Sequence, residues 1–257
     1  MNFSYAEYRD IINKIQSHLP IIRFDDVKAN TEKYCVIRHD VEFSILRALG
    51  LSDIERDLGI SSTYVFQICN NNYNPFSHKN KEHILNIAAN GHDIGVHIHL
   101  GNFNEAHESI ESYIIKQANL LSTALDYPIN KFSIHRPLKK HIITPIQIPG
   151  YINMNAPEFF VYTEDFNVYD LPVLYLADSN HAWKYGNPLN IDFSKINKMQ
   201  LNCHPFSWTV EGMDNWENFK SLTKEKQMES LISINEEIKT YPVKLYEEEC
   251  SLLVRSK

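Results

Sequence analysis

The sequence lacks the features that mark several classes of protein. Its 257 residues include only 8 glycines and 4 cysteines, and neither G-x-G-x-x-G nor G-x-x-x-x-G-K-[ST] is present. The dinucleotide-binding and P-loop folds are therefore disfavoured. The cysteines are Cys35, Cys69, Cys203 and Cys250. Because they form no C-x-x-C pair, we expect buried free thiols rather than a disulfide framework or a zinc ribbon.

An excess of positive charge and a long apolar run are absent as well. The net charge of −7 gives no general attraction to phosphate backbones, so nucleic acid is a poor candidate partner. The first twenty residues carry Glu7, Arg9, Asp10 and Lys14 where a signal peptide needs an apolar stretch. No later segment approaches the ~18 apolar residues of a membrane span. These absences predict a cytoplasmic protein without a membrane span.

What the sequence does contain is enough apolar material for a sizeable core, since 43% of its residues are hydrophobic. Strand and helix patterns alternate along it without linker-like composition. Strands are predicted over 34–42, 62–69, 92–100, 131–135, 172–177 and 198–204. Helices are predicted over 5–17, 43–58, 80–90, 104–125 and, as one or two helices, 213–239.

Such alternation predicts crossover units and a parallel sheet, either doubly wound or closed into a barrel. The missing glycine motifs favour the barrel. We therefore predict an α/β fold in which 1–257 form a single domain built as a (β/α) barrel. In it, 1–33 provide an N-terminal helix and lead-in, 34–208 the barrel core, and 209–257 a helical closing segment.

Ionisable residues fall at the carboxyl ends of the predicted strands. Side chains alternate faces along a strand, so residues two apart share one side. His97 and His99 thus lie on one face of their strand, and Asp40 and Glu42 lie together on one face of theirs. The other predicted strand ends carry His135, Arg136, Asp178 and His204. The carboxyl-terminal rim of a parallel barrel is where catalytic residues gather.

Two imidazoles and a carboxylate make a suitable set for a divalent metal. Neutral histidine nitrogen and carboxylate oxygen suit Zn²⁺ or a similar first-row ion, and three protein ligands leave a position open. His97 and His99 are the candidate imidazole ligands, and Asp40 or Glu42 is the candidate carboxylate ligand. Further carboxylate and histidine groups beside such an ion can supply a base and an acid.

The two carboxylates on the first strand also have a purely structural interpretation. Asp40 and Glu42 could simply pair with Arg38, although that would account for one carboxylate and leave the second unpaired in a partly buried rim.

Two other functions stay open for the protein. V-H-I-H resembles the H-x-H of the amidohydrolases, which place that pair on the first barrel strand rather than about the third. A catalytically degenerate barrel that only binds sugar is the other alternative.

An ordered set of motifs runs from about residue 34 to 208. It comprises RHDVE at 38–42, STYVF at 62–66, GHDIGVHIH at 91–99, FSIHRP at 132–137, ADSNHAW at 177–183 and NCHPFSW at 202–208. Together they resemble the NodB-homology polysaccharide deacetylases, which are carbohydrate esterase family 4-like, and most closely a subgroup with R-H-D-V-D and H-P-x-x-W motifs. The resemblance implies that 1–257 form a single catalytic domain with a distorted (β/α) barrel. It also implies metal-dependent hydrolysis of an N-acetyl, or less readily an O-acetyl, group on a carbohydrate.

The resemblance also implies roles for single residues. Asp40 matches the catalytic base and Arg136 the arginine that holds it. His204 matches the histidine that protonates the leaving group, and Asp178 the carboxylate that orients His204. His97 matches the first metal-binding histidine, and Glu42 stands where the subgroup has an aspartate ligand. Trp183, Trp208 and His135 are assigned to the substrate pocket.

Two departures from the family pattern concern the metal. Glu42 is one methylene longer than aspartate, and Gly101 stands where the second histidine usually lies, so the shared-face argument assigns that ligand to His99. In the implied reaction, the metal and Asp40 activate water against the acetyl carbonyl and His204 protonates the leaving amine. The expected substrate is a small-molecule or lipid-linked acetylated sugar, on the way to a surface glycan.

Overall fold

A computed structural model of the chain describes residues 3–138, 140–141, 144–161, 169–184 and 186–238. The described residues fall into two compact units, whose boundary lies between Gly212 and Met213. The first unit contains the whole sheet, and the second contains one helix. The single catalytic domain expected over 1–257 stays a prediction.

All seven strands of the described residues belong to one sheet. They are β1 (Tyr34–Val41), β2 (Thr63–Phe66), β3 (Asp93–Ile98), β4 (Lys131–Ile134), β5 (Ile152–Asn153), β6 (Leu174–Ala177) and β7 (Lys198–Cys203). The α-helices of the first unit are α1 (Tyr5–Gln16), α2 (Ile45–Asp57), α3 (His78–Ala89) and α4 (Ile110–Leu125). Short 3-10 turns occupy Phe24–Asp26, Leu100–Asn102, Pro188–Asn190, Phe193–Lys195 and Pro205–Ser207.

The sheet is parallel at every pairing, in the order β5-β4-β3-β2-β1-β7-β6. If the sheet is closed into a circle, the strands follow one another in chain order from β1 to β7 without reversal. The circle is open between β5 and β6, which do not pair. A doubly wound sheet would instead reverse direction at a switch point. The predicted α/β fold, a distorted (β/α) barrel, is confirmed, and the two-residue β5 is the strand that the sequence pattern missed.

Alternation along the strands separates an inner from an outer layer. On β1, Tyr34 and Val36 face inward and pack in a small apolar cluster with Val65 and Met154. Outward-facing residues of the same strands form two larger clusters against the helices. Toward the carboxyl end of β1 the next inward-facing residue is Arg38, so the inner layer becomes polar there, although all eight residues of the strand are buried. The interior of the barrel therefore has an apolar layer beneath a polar rim.

Gly95 is a point of close approach between β3 and its neighbours. A methyl group at this position would lie 2.7 Å from the Lys131 carbonyl oxygen and 2.9 Å from Val65 Cγ1. Since Gly95 is two residues before His97 and on the same face, the missing side chain lets β3 bring His97 close to β4.

Side chains cap the first turns of α1, α2 and α4. The capping residues are Ser4, Ser44 and Ser109, each of which accepts a hydrogen bond from the backbone amide three residues further along the chain. The helix expected over 104–125 begins only after Ser109, because Asn104 caps a turn and accepts from the Ala106 amide at 3.0 Å. Among the described residues, no helix combines the length and the apolar composition that crossing a membrane requires.

A buried carboxylate links α2 to the outer face of the sheet. Glu55 accepts hydrogen bonds from Tyr8 at 2.5 Å and from Ser62 and Tyr64 at 2.7 Å, and it lies 2.9 Å from His39 Nε2. Burial raises the pKa of Glu55, but the charge of His39 and these hydrogen bonds outweigh it and lower the pKa to about 2. His39 therefore serves the fold and faces away from the rim.

The cysteines match expectation where they are described. Cys35 and Cys203 are buried free thiols and Cys69 is half-buried, while Cys250 lies outside the described residues.

The described part of the second unit contains one helix, α5 (Asn215–Glu237). Asp214 caps it, because the Asp214 side chain accepts a hydrogen bond from the Glu217 amide at 2.9 Å. This helix corresponds to the helical segment predicted over 213–239, of which residue 239 lies outside the described part.

Candidate active site

Asp40 lies at the centre of the rim and is held by cationic and amide donors. Arg38 donates to Asp40 Oδ2 through Nη2 at 3.0 Å, and its Nε lies 2.9 Å from Oδ1. Asn202 donates to Oδ2 at 2.9 Å. Burial raises the pKa of Asp40, but Arg38, with smaller effects from His97 and His204, lowers the pKa to about 2. Asp40 is therefore ionised at neutral pH.

One oxygen of this carboxylate stays open for a further donor. Asp40 Oδ1 is buried and accepts no hydrogen bond from the described residues. It lies 3.7 Å from His97 Nδ1, whereas Oδ2 lies 3.9 Å from His204 Nε2. Asp40 thus stands between His97 on one side and His204 on the other, with Oδ1 able to accept a proton.

His204 is paired with a buried carboxylate behind it. Asp178 Oδ1 lies 2.7 Å from His204 Nδ1 and accepts from the His204 backbone amide at 2.8 Å. Its other oxygen accepts from Trp208 Nε1 at 2.7 Å. Burial lowers the pKa of His204, but the hydrogen bond and charge of Asp178 raise the pKa to about 9. His204 is therefore a cation at neutral pH, with Nε2 directed toward Asp40.

Three potential metal ligands meet on the other side of Asp40. Glu42 Oε1 lies 2.7 Å from His135 Nδ1 and 3.3 Å from His97 Nε2, and the two ring nitrogens are 3.2 Å apart. Burial raises the pKa of Glu42, but its hydrogen bonds with His135 and then His97 lower the pKa well below its usual range. In the described part of the chain, this is the group of histidine and acidic side chains that could hold a metal ion.

Local hydrogen bonds position each of these three residues, through the side chain of His97 and through the backbone of His135 and Glu42. His97 and Ser133 are partners across β3 and β4, and His97 Nδ1 lies 2.7 Å from Ser133 Oγ, which directs Nε2 toward Glu42. The His135 amide extends the same ladder by donating to the Ile98 carbonyl at 2.8 Å. The Glu42 carbonyl accepts from Asn70 and Asn72 side chains at 3.2 and 3.1 Å.

The donor set fits a divalent ion in chemistry and in spacing. Three ligand atoms held tetrahedrally at about 2.0–2.2 Å from Zn²⁺ are roughly 3.3–3.6 Å apart. The observed His97–Glu42 and His97–His135 separations of 3.3 and 3.2 Å lie at or just below the lower end of this range, whereas the His135–Glu42 separation of 2.7 Å is clearly shorter, so binding needs these two side chains to move apart. Two imidazoles and one carboxylate are also the ligand types that such an ion takes at catalytic sites.

The expected third ligand, His99, is not in this group. β3 ends at Ile98 and His99 leads into a 3-10 turn, so the alternation that should have placed His99 beside His97 stops one residue earlier. His99 Nδ1 instead accepts from the Gly101 amide at 3.0 Å. His135, which the resemblance assigns to the substrate pocket, lies in the donor group in its place, and the rings of His99 and His135 stack with centroids 5.1 Å apart.

The expected holder of Asp40, Arg136, is also replaced. Arg136 is exposed and adopts a left-handed backbone conformation with φ of 48° directly after His135. No contact between it and Asp40 occurs among the described residues, and Arg38 provides the guanidinium instead. The ion pair that seemed a purely structural alternative is thus the one that holds the central carboxylate.

The two tryptophans pack in or against the outer apolar cluster. Trp208 is fully buried, packs edge-to-face against Tyr8 with ring centroids 5.0 Å apart, and donates from Nε1 to Asp178. Trp183 is half-buried, and its ring centroid lies 6.4 Å from that of Trp208. Both are expected to wall an acyl pocket. Trp208 lies behind the His204–Asp178 pair instead, because the 205–207 turn directs it into the core, whereas the pocket role of Trp183 stays a prediction.

Sequence reasoning missed Asn202, Ser133 and Tyr175 at the rim, and it weighed Arg38 only as a structural partner of Asp40 and Glu42. The signal was present for all but Tyr175. Arg38 is two residues before Asp40, Asn202 two before His204, and Ser133 two before His135, so the same period-two count includes them.

Comparison with solved structures finds similar folds among carbohydrate esterases. The chitin deacetylase of Colletotrichum lindemuthianum is 14% identical, with a TM-score of 0.45 over 80% of this chain and 86% of that one. A family 4 carbohydrate esterase from Bacillus anthracis is 10% identical, with a TM-score of 0.42 over 85% and 86%. A pseudoenzyme of the same family, also from Bacillus anthracis, is 11% identical, with a TM-score of 0.43 over 82% and 68%.

No family model and no curated protein matches the chain. Of these three structures, the two from Bacillus anthracis are named as members of carbohydrate esterase family 4. At identities of 10–14% and TM-scores below 0.5 they do not transfer a function. The functional assignment therefore rests on the residues of this chain.

Proposed function

We propose that the protein is a metal-dependent hydrolase that removes an acetyl group from a sugar, with an N-acetyl group as the preferred target. The observation that carries this proposal is the arrangement around Asp40. Three metal-type donors lie on one side of it, and His204 lies 3.9 Å away on the other. A base between an electrophilic centre and an acid is the arrangement that acyl transfer to water needs.

Glu42, His97 and His135 would hold the ion, which we propose to be Zn²⁺ or another first-row divalent ion. When bound there, such an ion supplies Lewis-acid polarisation of an acyl carbonyl and acidifies nearby water. The low pKa of Asp40, about 2, makes this carboxylate a weak base. A weak base is sufficient here, because a bound ion would already make the proton of the water acidic.

The chain's own groups account for the proton movements. Asp40 Oδ1, which accepts no hydrogen bond from the described residues, takes the proton of the attacking water. Arg38 and Asn202 keep the carboxylate ionised and oriented. His204, charged at neutral pH, carries its proton on Nε2 and gives it to the departing nitrogen or oxygen. Asp178 keeps His204 oriented through Nδ1.

The alternative hydrolase of the amidohydrolase kind is less well supported. The H-x-H pair lies at the end of β3 rather than on the first strand, and His99 does not join His97 at the donor group. The degenerate alternative differs from our proposal in one respect only, which is whether the donor group binds an ion and turns over substrate.

Acetate release tests the proposal directly. The panel contains N-acetylglucosamine, an N-acetylated chito-oligosaccharide, UDP-N-acetylglucosamine and an O-acetylated sugar, each with zinc-loaded and chelator-treated protein. We expect zinc-dependent acetate release that falls at least about 100-fold in Asp40→Asn and His204→Gln. His78→Gln, on an exposed helix face, is the matched control. Equal rates in wild type, Asp40→Asn and His204→Gln would exclude the proposal.

A further inference from the structure

The rim has two chemically different sides, set by the strand order. β4 and β3 provide His135 and His97, so the metal-type donors lie on one side of Asp40. β7 and then β6 follow β1 on the opposite side and provide His204 and Asp178. If the acyl group is polarised at the donors, the group that leaves must lie toward β7 and β6.

Tyr175 is the residue of β6 that faces this second side. Its neighbours Leu174 and Leu176 pack in the outer cluster, so alternation directs Tyr175 inward, level with Gln200 of β7. The Tyr175 ring packs edge-to-face against Phe160 with centroids 4.6 Å apart, which restricts its position.

The Tyr175 hydroxyl is linked to Asp40 by one amide group. Asn202 Nδ2 donates to Asp40 Oδ2 at 2.9 Å and to the Tyr175 hydroxyl oxygen at 2.9 Å. The phenol oxygen is therefore used as an acceptor, while its own proton finds no acceptor among the described residues. Burial and the charge of Asp40 outweigh Arg38 and raise the pKa of Tyr175 to about 12, so the phenol keeps that proton at any working pH.

A half-buried phenol with an unused proton, fixed in place and linked to Asp40 through Asn202, can satisfy an acceptor on a bound molecule. We propose that Tyr175 donates a hydrogen bond to a hydroxyl or ether oxygen of the sugar on the leaving-group side. Tyr175 is then a specificity-determining residue that recognises a polyhydroxylated leaving group and takes no part in the proton transfers. This inference rests on the proposed function and adds to it the residue that recognises the sugar.

Tyr175→Phe removes the hydroxyl and keeps the ring against Phe160. Tyr34→Phe, at the opposite end of the barrel, is the matched control for the loss of an inward-facing phenol. Three quantities are measured for wild type and both variants. They are kcat/KM for acetate release from an N-acetylated chito-oligosaccharide, kcat/KM for phenyl acetate, and the Kd of the chito-oligosaccharide for chelator-treated protein by calorimetry.

For Tyr175→Phe we expect kcat/KM on the oligosaccharide to fall, and Kd to rise, by roughly 3- to 10-fold, the effect of one neutral hydrogen bond. Phenyl acetate offers no sugar oxygen, so its kcat/KM should stay within about 2-fold. An unchanged oligosaccharide kcat/KM and Kd would overturn the proposal. An equal loss on both substrates would also overturn it, because Tyr175 would then act on Asp40 through Asn202.

The binding measurement separates this inference from the proposed function. If wild type releases no acetate from any substrate, the proposed function fails, and Kd alone then decides about Tyr175. A weaker Kd in Tyr175→Phe, but not in Tyr34→Phe, would still support the hydrogen bond. No binding to wild type, or equal Kd values, would overturn it.

Discussion

Replacing Asp178 with asparagine changes one atom type behind His204 and should change its protonation. Asparagine can still accept from the His204 amide, but it has no negative charge, and its NH₂ group would face the Trp208 indole donor. The pKa of His204, about 9 in the wild type, should fall toward the ordinary value of about 6.5. If the fall is complete, the protonated fraction at pH 8 drops by roughly 30-fold.

The same change has a defined effect on stability. A histidine whose pKa is raised by folding stabilises the protein fully below its unfolded value, about 6.5. That contribution is lost as pH rises through the folded value, about 9. The difference in unfolding free energy between wild type and Asp178→Asn should therefore be largest below about pH 6.5, at up to about 3 kcal/mol, shrink between about pH 6.5 and pH 9, and vanish at higher pH.

NMR titration of the His204 ring in chelator-treated protein measures the pKa without turnover. The resonance is assigned by its loss in His204→Gln, and unfolding by urea at pH 6 and pH 10 provides the free energies. His18→Gln, an exposed histidine near α1, is the control. An unchanged His204 pKa in Asp178→Asn would refute the reasoning, because Asp178 would then not be the cause of the raised value.

Three further substitutions test other parts of the structure, each by urea unfolding. Arg38→Met should destabilise by about 3–5 kcal/mol because the buried carboxylate of Asp40 loses its paired guanidinium and keeps only the more distant charge of His204, 3.9 Å away. Exposed Arg136→Met should cost less than about 0.5 kcal/mol. Gly95→Ala should cost about 1–3 kcal/mol by forcing β3 from β4. Glu55→Gln should cost about 3 kcal/mol at neutral pH. Since the folded pKa of Glu55 is about 2, its advantage over Gln should persist above about pH 4.3 and disappear as pH falls through 2.

These results have clear contradicting outcomes. Equal losses in Arg38→Met and Arg136→Met would mean that both guanidiniums hold the rim. A neutral Gly95→Ala would show that β3 and β4 can separate without cost. A difference between wild type and Glu55→Gln that does not change between pH 6 and pH 2 would show that the buried carboxylate carries no net electrostatic stabilisation.

The sequence was sufficient for the fold class because its signals are local. Alternating strand and helix patterns, in a sequence without the dinucleotide-binding and P-loop glycine motifs, predict a parallel barrel without any knowledge of distant contacts. The shared face of Asp40 and Glu42 and the positions of His97 and His204 follow from the same period-two count. The strand order that brings these residues together is a property of the barrel class.

What the sequence could not provide lies past the ends of strands. His99 and His135 both follow a strand directly, but the chain after β3 enters a 3-10 turn, whereas the His135 amide still extends the ladder to the Ile98 carbonyl. A pattern of residue types does not tell where pairing stops. Similarly, Arg38 and Arg136 both stand beside motif residues, and only their positions around the barrel decide which one reaches Asp40.

The central claim is that Glu42, His97 and His135 form the metal centre of a hydrolase. Anomalous diffraction at the zinc edge, from crystals of zinc-loaded protein, tests it most directly. We predict one strong peak within about 2.0–2.2 Å of Glu42 Oε1, His97 Nε2 and His135 Nδ1. The peak should be lost in His135→Ala and kept in His99→Ala. A peak at His99 away from His135, or no peak in this group, would contradict the claim.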